Sequence, residues 1–335
     1  TFDGNGNLVC VDQSSGCVPI NVFGQNISDE AVTFMTTSQT SSEEAIMQVA
    51  AATLTGDLFD MPAGPLGIAI GAEYRKVEGF FIPSQGGIGD VNSEPVGGDY
   101  DVNELFGEVL VPLLETVELS AAFRYSDYSL DGIDGSWTYG AGLTWEALPS
   151  VMLRGQYQRA VRAPSIDELF VAATGTAPAA VDPCAQPAAA NDPVVRDLCI
   201  ANGVPVGRVG DPGLQPNFQI REVGGGNPNL REETTDTYTY GIVLTPEFAP
   251  GLTATIDYFS IEVEDAITVL GGSANNVLDL CFNQIQSIDS AFCQAVVRLE
   301  DGVIANPGGV FVINTNIGKL ETNGIDARIN YAFDV

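Results

Sequence analysis

Apolar and polar side chains alternate with a period of two along several long stretches of the chain. From Val117 to Tyr125 the odd positions are mostly large and apolar, whereas the even positions include Glu118, Ser120 and Arg124. Successive side chains of a β-strand point to opposite sides, so this alternation predicts strands with one apolar and one polar face. The same pattern recurs in the stretches that begin near residues 137, 238, 252 and 325.

The alternation predicts about ten strands, most of them longer than the roughly 9 to 11 residues that a tilted strand needs to cross a hydrocarbon layer. Their predicted bounds are 46–60, 65–79, 99–112, 116–129, 136–147, 150–162, 232–245, 251–265, 309–318 and 321–333. The first of them is ambiguous, because "SSEEAIMQVAAA" also has the serine and early glutamates that begin a helix. The fold class that we predict is all-β, namely part of an antiparallel transmembrane β-barrel.

The predicted connections alternate between short and long, as they do in a barrel with turns on one side of a membrane and loops on the other. The short connections lie at 61–64, 113–115, 148–149, 246–250 and 319–320, and the others at 80–98, 130–135, 163–231 and 266–308. On this interpretation residues 1–45, 163–231 and 266–308 are extracellular loops. "SIDELFVAA", after residue 164, predicts a short helix. A soluble β-sandwich or solenoid would also alternate, but neither predicts loops of one-sided length.

Six cysteines form three pairs that are close in sequence, each within a segment rich in Gly, Pro, Asn and Asp. The pairs are Cys10 and Cys17, Cys184 and Cys199, and Cys281 and Cys293. Local pairs in loops predict three disulfides and an oxidising compartment. A zinc site would need closer cysteine spacings or histidines, and the chain has no histidine, so we predict no metal site.

The formal charge of −31 arises from 44 acidic and 13 basic residues, and Lys76 and Lys319 are the only lysines. Nucleic acid is excluded as a partner, because phosphate binding needs a basic surface. We interpret the acidity as a solvated, repulsive surface, with a site for cationic or metal-laden ligands as the alternative. The chain has no apolar signal segment at Thr1. We therefore expect that a leader was removed or that the chain starts within a longer protein.

No catalytic constellation is evident, and we predict neither an enzyme nor a cofactor. Without histidine there is no Ser-His-Asp or Cys-His arrangement. The glutamate pairs at 43–44 and 232–233 are typical charges at the start of a helix or strand. "GNGN" and "GGG" lack the context of a phosphate loop. "DGNGN" at residues 3–7 lacks the downstream glutamate of a calcium loop.

Five stretches resemble the barrel region of TonB-dependent outer-membrane receptors. They are "LRGQYQRAVRAPSIDELF", "GNPNLREETTDTYTYGI", "CVPINVFG", "GDLFDMPAGPLGIAIGAEYR" and "ETNGIDARINYAF". The first is similar to the family's Arg-Ala-Pro-Ser and Glu-Leu-Phe signature, and the second to its Asn-Pro-x-Leu-x-x-Glu segment. The residues that carry the motifs are Arg162, Ala163, Pro164, Ser165, Leu169, Phe170, Asn227, Pro228, Leu230, Glu233, Gly324 and Asp326.

The resemblance implies that residues 1–335 are part of one barrel domain, which in this family has 22 strands around a plug domain. We recognise neither a plug nor a TonB-contacting box in the sequence. The implied partners are outer-membrane lipid, the protein's own plug and remaining strands, the TonB system acting through the plug, and a small-molecule ligand. Polar-face charges should point into the lumen and anchor the plug or contact the ligand. These lumen-facing candidates are Glu73, Arg75, Glu118, Arg124, Glu146 and Arg154.

The function implied by the resemblance is active uptake of a scarce solute, such as a siderophore, vitamin or carbohydrate, across the outer membrane of a Gram-negative bacterium. A secreted β-rich binding or adhesive protein with disulfide-tied loops is the main alternative. That protein would bury its apolar strand faces between two sheets. An extracellular hydrolase that uses carboxylates is a third hypothesis, and it would need a cleft with paired acids.

Overall fold

The computed structural model describes residues 1, 4–6, 8–12, 16–20, 27–36, 40–83, 95–130, 132–133 and 135–333. Within them the chain forms thirteen strands and five α-helices. The strands are β1 (Ser42–Met61), β2 (Gly64–Ile82), β3 (Val96–Leu114), β4 (Val117–Tyr128), β5 (Ser136–Leu148), β6 (Val151–Arg162), β7 (Thr174–Thr176), β8 (Glu222–Gly224), β9 (Glu233–Leu244), β10 (Leu252–Val269), β11 (Val296–Val297), β12 (Gly309–Phe311) and β13 (Asn314–Tyr331). The helices are α1 (Asp29–Met35), α2 (Ile166–Phe170), α3 (Pro193–Ala201), α4 (Ala274–Asp279) and α5 (Ala291–Gln294).

Nine long strands form one antiparallel sheet in the order β1-β2-β3-β4-β5-β6-β9-β10-β13. Each strand pairs with its neighbour along the chain, apart from the excursions after β6 and β10, so the sheet is a meander. Among the described residues, β1 and β13 each pair on one side only, and the sheet is not closed. None of the described helices is long and apolar enough to span a membrane.

The prediction of two separate strands at 309–318 and 321–333 was wrong, because β13 is one continuous strand. The short connection predicted at 319–320 does not exist: Leu320 pairs with Val263 and Glu321 with Glu262 in the ladder with β10. Lys and Leu are not turn-forming residues, and Lys319 lies between the carboxylates of Glu262 and Glu321. The sheet therefore has nine long strands instead of ten.

Other boundaries shift by a few residues. β1 begins at Ser42, so residues 42–45 belong to the sheet and not to the predicted loop 1–45, and the helical interpretation of this segment is wrong. β10 extends to Val269, past the predicted loop start at 266. The short helix predicted in "SIDELFVAA" is confirmed as α2. Several predicted features lie partly outside the described residues: the loops at 1–45, 80–98 and 130–135, "DGNGN" at positions 3 and 7, and "CVPINVFG" at positions 21–24.

The two long loops pack against each other and form one compact unit. We call residues 163–232 and 270–313 the cap. Its core contains buried apolar side chains from both loops, including Leu198, Leu214, Leu278, Phe282 and Val310. A small sheet in the order β11-β12-β8-β7 also combines strands of both loops. The cap therefore has its own hydrophobic core at one end of the large sheet.

A buried ion pair joins the two halves of the cap. Nη1 and Nη2 of Arg298 lie 2.6 and 2.8 Å from the carboxylate oxygens of Asp182, and both side chains are 1% exposed. Arg298 also donates to Asn202 Oδ1 and to the carbonyl of Gly302. These hydrogen bonds satisfy a charge that would be costly to bury alone.

The six cysteines pair as predicted. Cys184 bonds to Cys199 and Cys281 bonds to Cys293, both within the cap core, while Cys10 bonds to Cys17 ahead of the sheet. In the cap each disulfide fastens one loop to itself. The packing between the two loops then depends on the hydrophobic core, the shared four-stranded sheet and polar contacts such as the Asp182–Arg298 pair.

Candidate functional site at the end of the sheet that carries the cap

All six charged residues predicted to share one strand face do so. The register aligns Glu73 with Glu104, Phe106 with Arg124, and Thr144 with Arg154. Glu118 and Glu146 lie an even number of residues from Arg124 and Thr144 in their own strands, so they occupy the same face. We call this the polar face, and the opposite side the apolar face.

Glu104 organises the charges of the polar face near the cap. Its carboxylate accepts hydrogen bonds from Arg124 Nη1 at 2.9 Å and from Ser126 Oγ at 2.6 Å, and Arg75 lies 3.5 Å away. Its side chain is 3% exposed, so the two arginines offset the cost of burying its charge. Glu104 was not among the predicted lumen-facing residues, although it lies at an even position of the predicted strand 99–112.

A second ion pair lies nearer the other end of the polar face. Arg154 donates three hydrogen bonds of 2.7–2.9 Å to Asp257, a bidentate arrangement that fixes both side chains. Asp326, one of the motif residues, pairs directly opposite Asp257 across β10 and β13. Glu118 and Glu146 have no ion-pair partner among the described residues. The polar face therefore combines fixed ion pairs with unneutralised carboxylates.

The polar face also carries a trough with a volume of about 650 Å³. Its lining combines charged, amide, hydroxyl and glycine residues of β1 to β6, among them Asp57, Glu108, Arg124, Gln156 and Gln158. Apolar residues such as Phe106 and Leu110 complete the lining, and such a mixed surface suits contact with another protein segment.

The apolar face carries large side chains that remain exposed. Leu105 is 60% exposed, Trp137 54% and Ile329 75%. Aromatic rings contact each other across neighbouring strands on this face, with Tyr157 4.9 Å from Tyr238 and Tyr125 5.0 Å from Trp137 between ring centroids. Aromatic girdles above an apolar band are typical of membrane barrels.

Most of the motif residues meet where β6 enters the cap. Arg162 Nε lies 2.6 Å from Glu233 Oε2, and its two terminal nitrogens lie 2.9 and 3.1 Å from the carboxylate of Glu168. Ser165 and Glu168 form a capping box that starts α2. Glu233 also accepts a hydrogen bond from the backbone nitrogen of Ile267. We call Arg162, Ser165, Glu168, Asn227 and Glu233 the rim junction.

Helix α2 turns from the end of β6 onto the polar face of β2 and β3. Gly79 and Gly98 are paired across these strands, and each provides space for one α2 side chain. A Cβ atom on Gly79 would lie 2.7 Å from Ile166 Cγ2, and one on Gly98 would overlap the ring of Phe170. Because β4 and β5 lie between β6 and β3, α2 crosses two strands before it packs on β2 and β3.

Asn227 fastens the second motif segment to the first. Its backbone nitrogen donates to the carbonyl of Glu168 at 2.8 Å, and its side chain donates to the carbonyl of Asn314 at 2.9 Å. Leu169 and Leu230 are buried beneath this contact. Ala163 and Pro164 form the bend between β6 and α2, and Pro228 is exposed. The rim junction thus joins β6, α2, β9 and β13, with its charged groups paired to each other.

Two motif residues lie away from the rim junction, in β13. Gly324 provides space for the ring of Phe259, whose nearest carbon would lie 2.9 Å from a Cβ at this position. Asp326 lies near Arg154 and Asp257 at a second hollow of the polar face. Among the described residues no group of three or more Cys, Asp or Glu side chains is placed to hold a metal ion.

The charge of Glu168 should make the rim junction sensitive to acid. Burial raises the pKa of Glu168, but hydrogen bonds from Arg162 and Ser165 outweigh it and hold that pKa below the ordinary value of 4.5. Ionised Glu168 therefore stabilises the fold above pH 4.5, and the contribution is lost as pH falls through the lower folded value. Hydrogen exchange of α2 should distinguish wild type from E168Q at pH 7, and the difference should vanish toward pH 3. An unchanged difference at pH 3 would contradict this.

A side chain at Gly98 should lift α2 from its seat. Gly98→Ala forces the Phe170 ring to move, and overpacking of this kind typically costs about 1–3 kcal/mol. We expect faster hydrogen exchange across α2 in G98A and recovery in the double variant G98A/F170A. The control is Gly224→Ala, since a Cβ at Gly224 would meet nothing within 4 Å. Equal exchange in G98A and G224A would show that α2 is not seated there.

A meandering sheet with one apolar and one polar face, joined to a disulfide-tied cap, is the arrangement expected of part of a membrane β-barrel. Residues 18–335 match the family described as TonB dependent receptor-like, beta-barrel. The chain therefore belongs to the TonB-dependent receptor family, and both the predicted fold class and the resemblance are confirmed. No curated protein sequence matches the chain.

Solved structures of similar fold include siderophore receptors. The siderophore receptor PirA from Acinetobacter baumannii is 14% identical, with a TM-score of 0.53 over 88% of this chain and 35% of that one. PirA from Pseudomonas aeruginosa is 14% identical, with a TM-score of 0.52 over 86% and 40%. A mutant of the ferric enterobactin receptor PfeA from Pseudomonas aeruginosa, in complex with enterobactin, is 15% identical, with a TM-score of 0.53 over 85% and 33%. The chain spans about a third of the length of these receptors.

Proposed function

We propose that this chain forms part of the barrel wall and external loops of a TonB-dependent receptor in the outer membrane of a Gram-negative bacterium. The complete receptor imports a scarce solute, such as a siderophore, vitamin or carbohydrate, and it is a transporter and not an enzyme. The cap, residues 163–232 and 270–313, is extracellular on this proposal. The solute enters past the cap, and TonB acts through the plug domain to release it inward.

The observation that carries the proposal is the contrast between the two faces of the nine-stranded sheet. Large apolar side chains such as Leu105 and Ile329 are exposed on one face. Contact with lipid would remove their apolar surface from water, which is favourable. The other face has ion pairs between strands and a trough that charged and amide side chains line together with apolar ones. Membership in the receptor family supports the same conclusion.

The polar face suits a plug domain as its occupant. The trough has hydrogen-bonding side chains such as Gln156 and Gln158. The carboxylates of Glu118 and Glu146, which have no ion-pair partner within the described ranges, offer further acceptors to a polar surface. Arg75, Arg124 and Arg154 are already held by carboxylates of the sheet, so they serve as fixed parts of that surface. On this proposal these five residues, together with Glu73, anchor the plug.

The secreted binding protein is the competing hypothesis, and it needs a second layer over the apolar face. No second sheet covers that face within the described ranges, because the four-stranded sheet belongs to the cap. The membrane hypothesis therefore explains the exposed apolar side chains without a second protein layer.

The location is tested by fractionating cells that express the full-length protein. We expect the protein in the outer-membrane fraction, extractable by detergent, with migration in gel electrophoresis that changes on heating. A barrel resists unfolding until it is heated, because its strands satisfy all backbone hydrogen bonds inside the membrane. A soluble, monomeric protein without detergent would contradict the proposal.

The transport function is tested by uptake in cells with and without a working TonB system. A panel of iron-loaded siderophores, vitamins and oligosaccharides should contain a solute whose uptake needs both the receptor and TonB. Uptake that persists without TonB would indicate a passive pore instead. A receptor located in the outer membrane that fails on every solute class would contradict the import function alone.

A further inference from the structure

A groove on the cap lies between the two loops. It has a volume of about 420 Å³, within the range of small-molecule sites. One wall comes from the segment before α3 and from α3 itself, and the other from α4 and the turn that follows it. Its lining combines apolar side chains with carboxylates and amides. The lining residues that matter are Val181, Ala189, Val195, Asp192, Asn275 and Asp279.

The groove is built from the fixed core of the cap. The Cys184–Cys199 disulfide joins the two parts of one wall, and the Cys281–Cys293 disulfide fastens the segment after α4. At the edge, the backbone nitrogen of Val181 donates to Asn275 Oδ1 at 3.0 Å, which connects the two loops directly. Such a groove does not need to be ordered by its ligand, so little conformational entropy opposes binding.

The two carboxylates of the groove lack cationic partners. Asp192 accepts hydrogen bonds from the backbone nitrogens of Val194 and Val195, and Asp279 accepts from the side chains of Asn283 and Gln284. In the described part of the chain no arginine or lysine nitrogen lies within 4.0 Å of either carboxylate. Two other cap aspartates have cationic partners, Asp182 with Arg298 and Asp211 with Arg208.

The cap around the groove is acidic overall. The cap contains twelve acidic and five basic residues, a formal charge of −7. Hydrogen bonds from Asn283 and Gln284 hold the pKa of Asp279 below its ordinary value, so this carboxylate stays ionised near neutral pH. A negative potential over a groove attracts cations and repels anions.

We propose that this groove is a binding site for a small organic cation, with an ammonium or guanidinium group at the carboxylates and an apolar portion over Ala189 and Val195. The groove has two such carboxylates, one from each loop, so a ligand with two cationic groups offers one partner to each. The site lies on the cap and not on the polar face of the sheet. It therefore adds a binding site to the proposed receptor and does not depend on transport.

The test uses 1,5-diaminopentane as the probe and 1,5-pentanediol as its uncharged counterpart, with detergent-solubilised full-length protein in a calorimeter. The variant is D192N/D279N, which keeps the hydrogen-bond acceptors and leaves Asn, a good N-cap, at the start of α3. The control is D197N, because Asp197 lies on α3, is 77% exposed and does not line the groove. Disulfide content and circular dichroism verify that each variant is folded.

We expect the diamine to bind wild type and D197N equally, and D192N/D279N at least tenfold more weakly. Binding should weaken with added salt, as charge pairing requires, and the diol should not bind. Failure of the diamine to bind wild type, or equal binding by D192N/D279N, would overturn the proposal. Equal binding of the diol would overturn the cationic class and indicate a site for neutral hydroxylated ligands. None of these outcomes bears on outer-membrane location or TonB-dependent uptake.

Discussion

Replacing Arg298 by methionine should unfold the cap while leaving the nine-stranded sheet intact. The change leaves the carboxylate of Asp182 buried at 1% exposure without its cation. Breaking a buried pair on one side typically costs about 3–5 kcal/mol. Since the pair joins the two loops across 116 residues of sequence, its loss should separate them.

Limited proteolysis of the full-length protein in detergent measures this effect. Fast cleavage should appear within residues 163–232 and 270–313 in R298M, and heat-modifiable migration should persist. The double variant D182L/R298M should recover much of the protection, because it removes both buried charges. R196M is the matched control, as Arg196 is exposed and lies 3.9 Å from an exposed Asp197. Equal protection of R298M and R196M would show that the pair does not hold the cap together.

Removing the Cys184–Cys199 disulfide should destabilise the cap by about 3 kcal/mol, the value expected for closing a 15-residue loop in the unfolded chain. Both cysteines are completely buried in the cap core, so C184S/C199S also places two hydroxyls among apolar side chains. We expect the denaturant concentration that exposes the cap to fall strongly in this variant.

The Cys10–Cys17 disulfide supplies the comparison. It spans only 7 residues and lies outside the cap core, so C10S/C17S should leave cap protection unchanged. Proteolysis at increasing urea concentrations follows both variants in the same experiment. A cap equally sensitive in both, or insensitive in C184S/C199S, would contradict the assignment of this disulfide to the cap core.

The long strands could be predicted from the sequence because alternation is a local signal. β4, β5 and β6 each expose one apolar and one polar face, and their predicted bounds are within a few residues of the observed ones. The prediction was wrong at Lys319, where a charged residue on the apolar face resembled a turn. There Lys319 is paired with Glu262 and Glu321, a contact that depends on the neighbouring strand.

The cap could not be predicted because its contacts join residues far apart in sequence. The hydrogen-bonded pair of Asp182 and Arg298, and the parallel pairing of β8 with β12, depend on two loops that are separated by β9 and β10. No local pattern distinguishes such loops from two independent excursions. The three disulfides were predictable, since each closes a short segment.

The candidate site was predictable in its residues but not in its contacts. The two motif segments that contain Arg162 and Glu233 identified these residues as candidates. The sequence did not show that Arg162 bridges Glu168 and Glu233. Likewise, strand parity placed Arg124 and Arg154 on the polar face, while their partners Glu104 and Asp257 needed the register between strands.

Adjacent residues of β5 test most directly whether the sheet is a membrane wall. Leu143 lies on the apolar face and Thr144 on the polar face, at the same depth within a residue. Single variants L143C and T144C of the full-length protein would carry a fluorescent thiol label in vesicles of brominated lipid, which quenches on contact. We predict strong quenching at L143C and little at T144C. Equal quenching at both positions, or stronger quenching at T144C, would contradict the membrane-wall assignment.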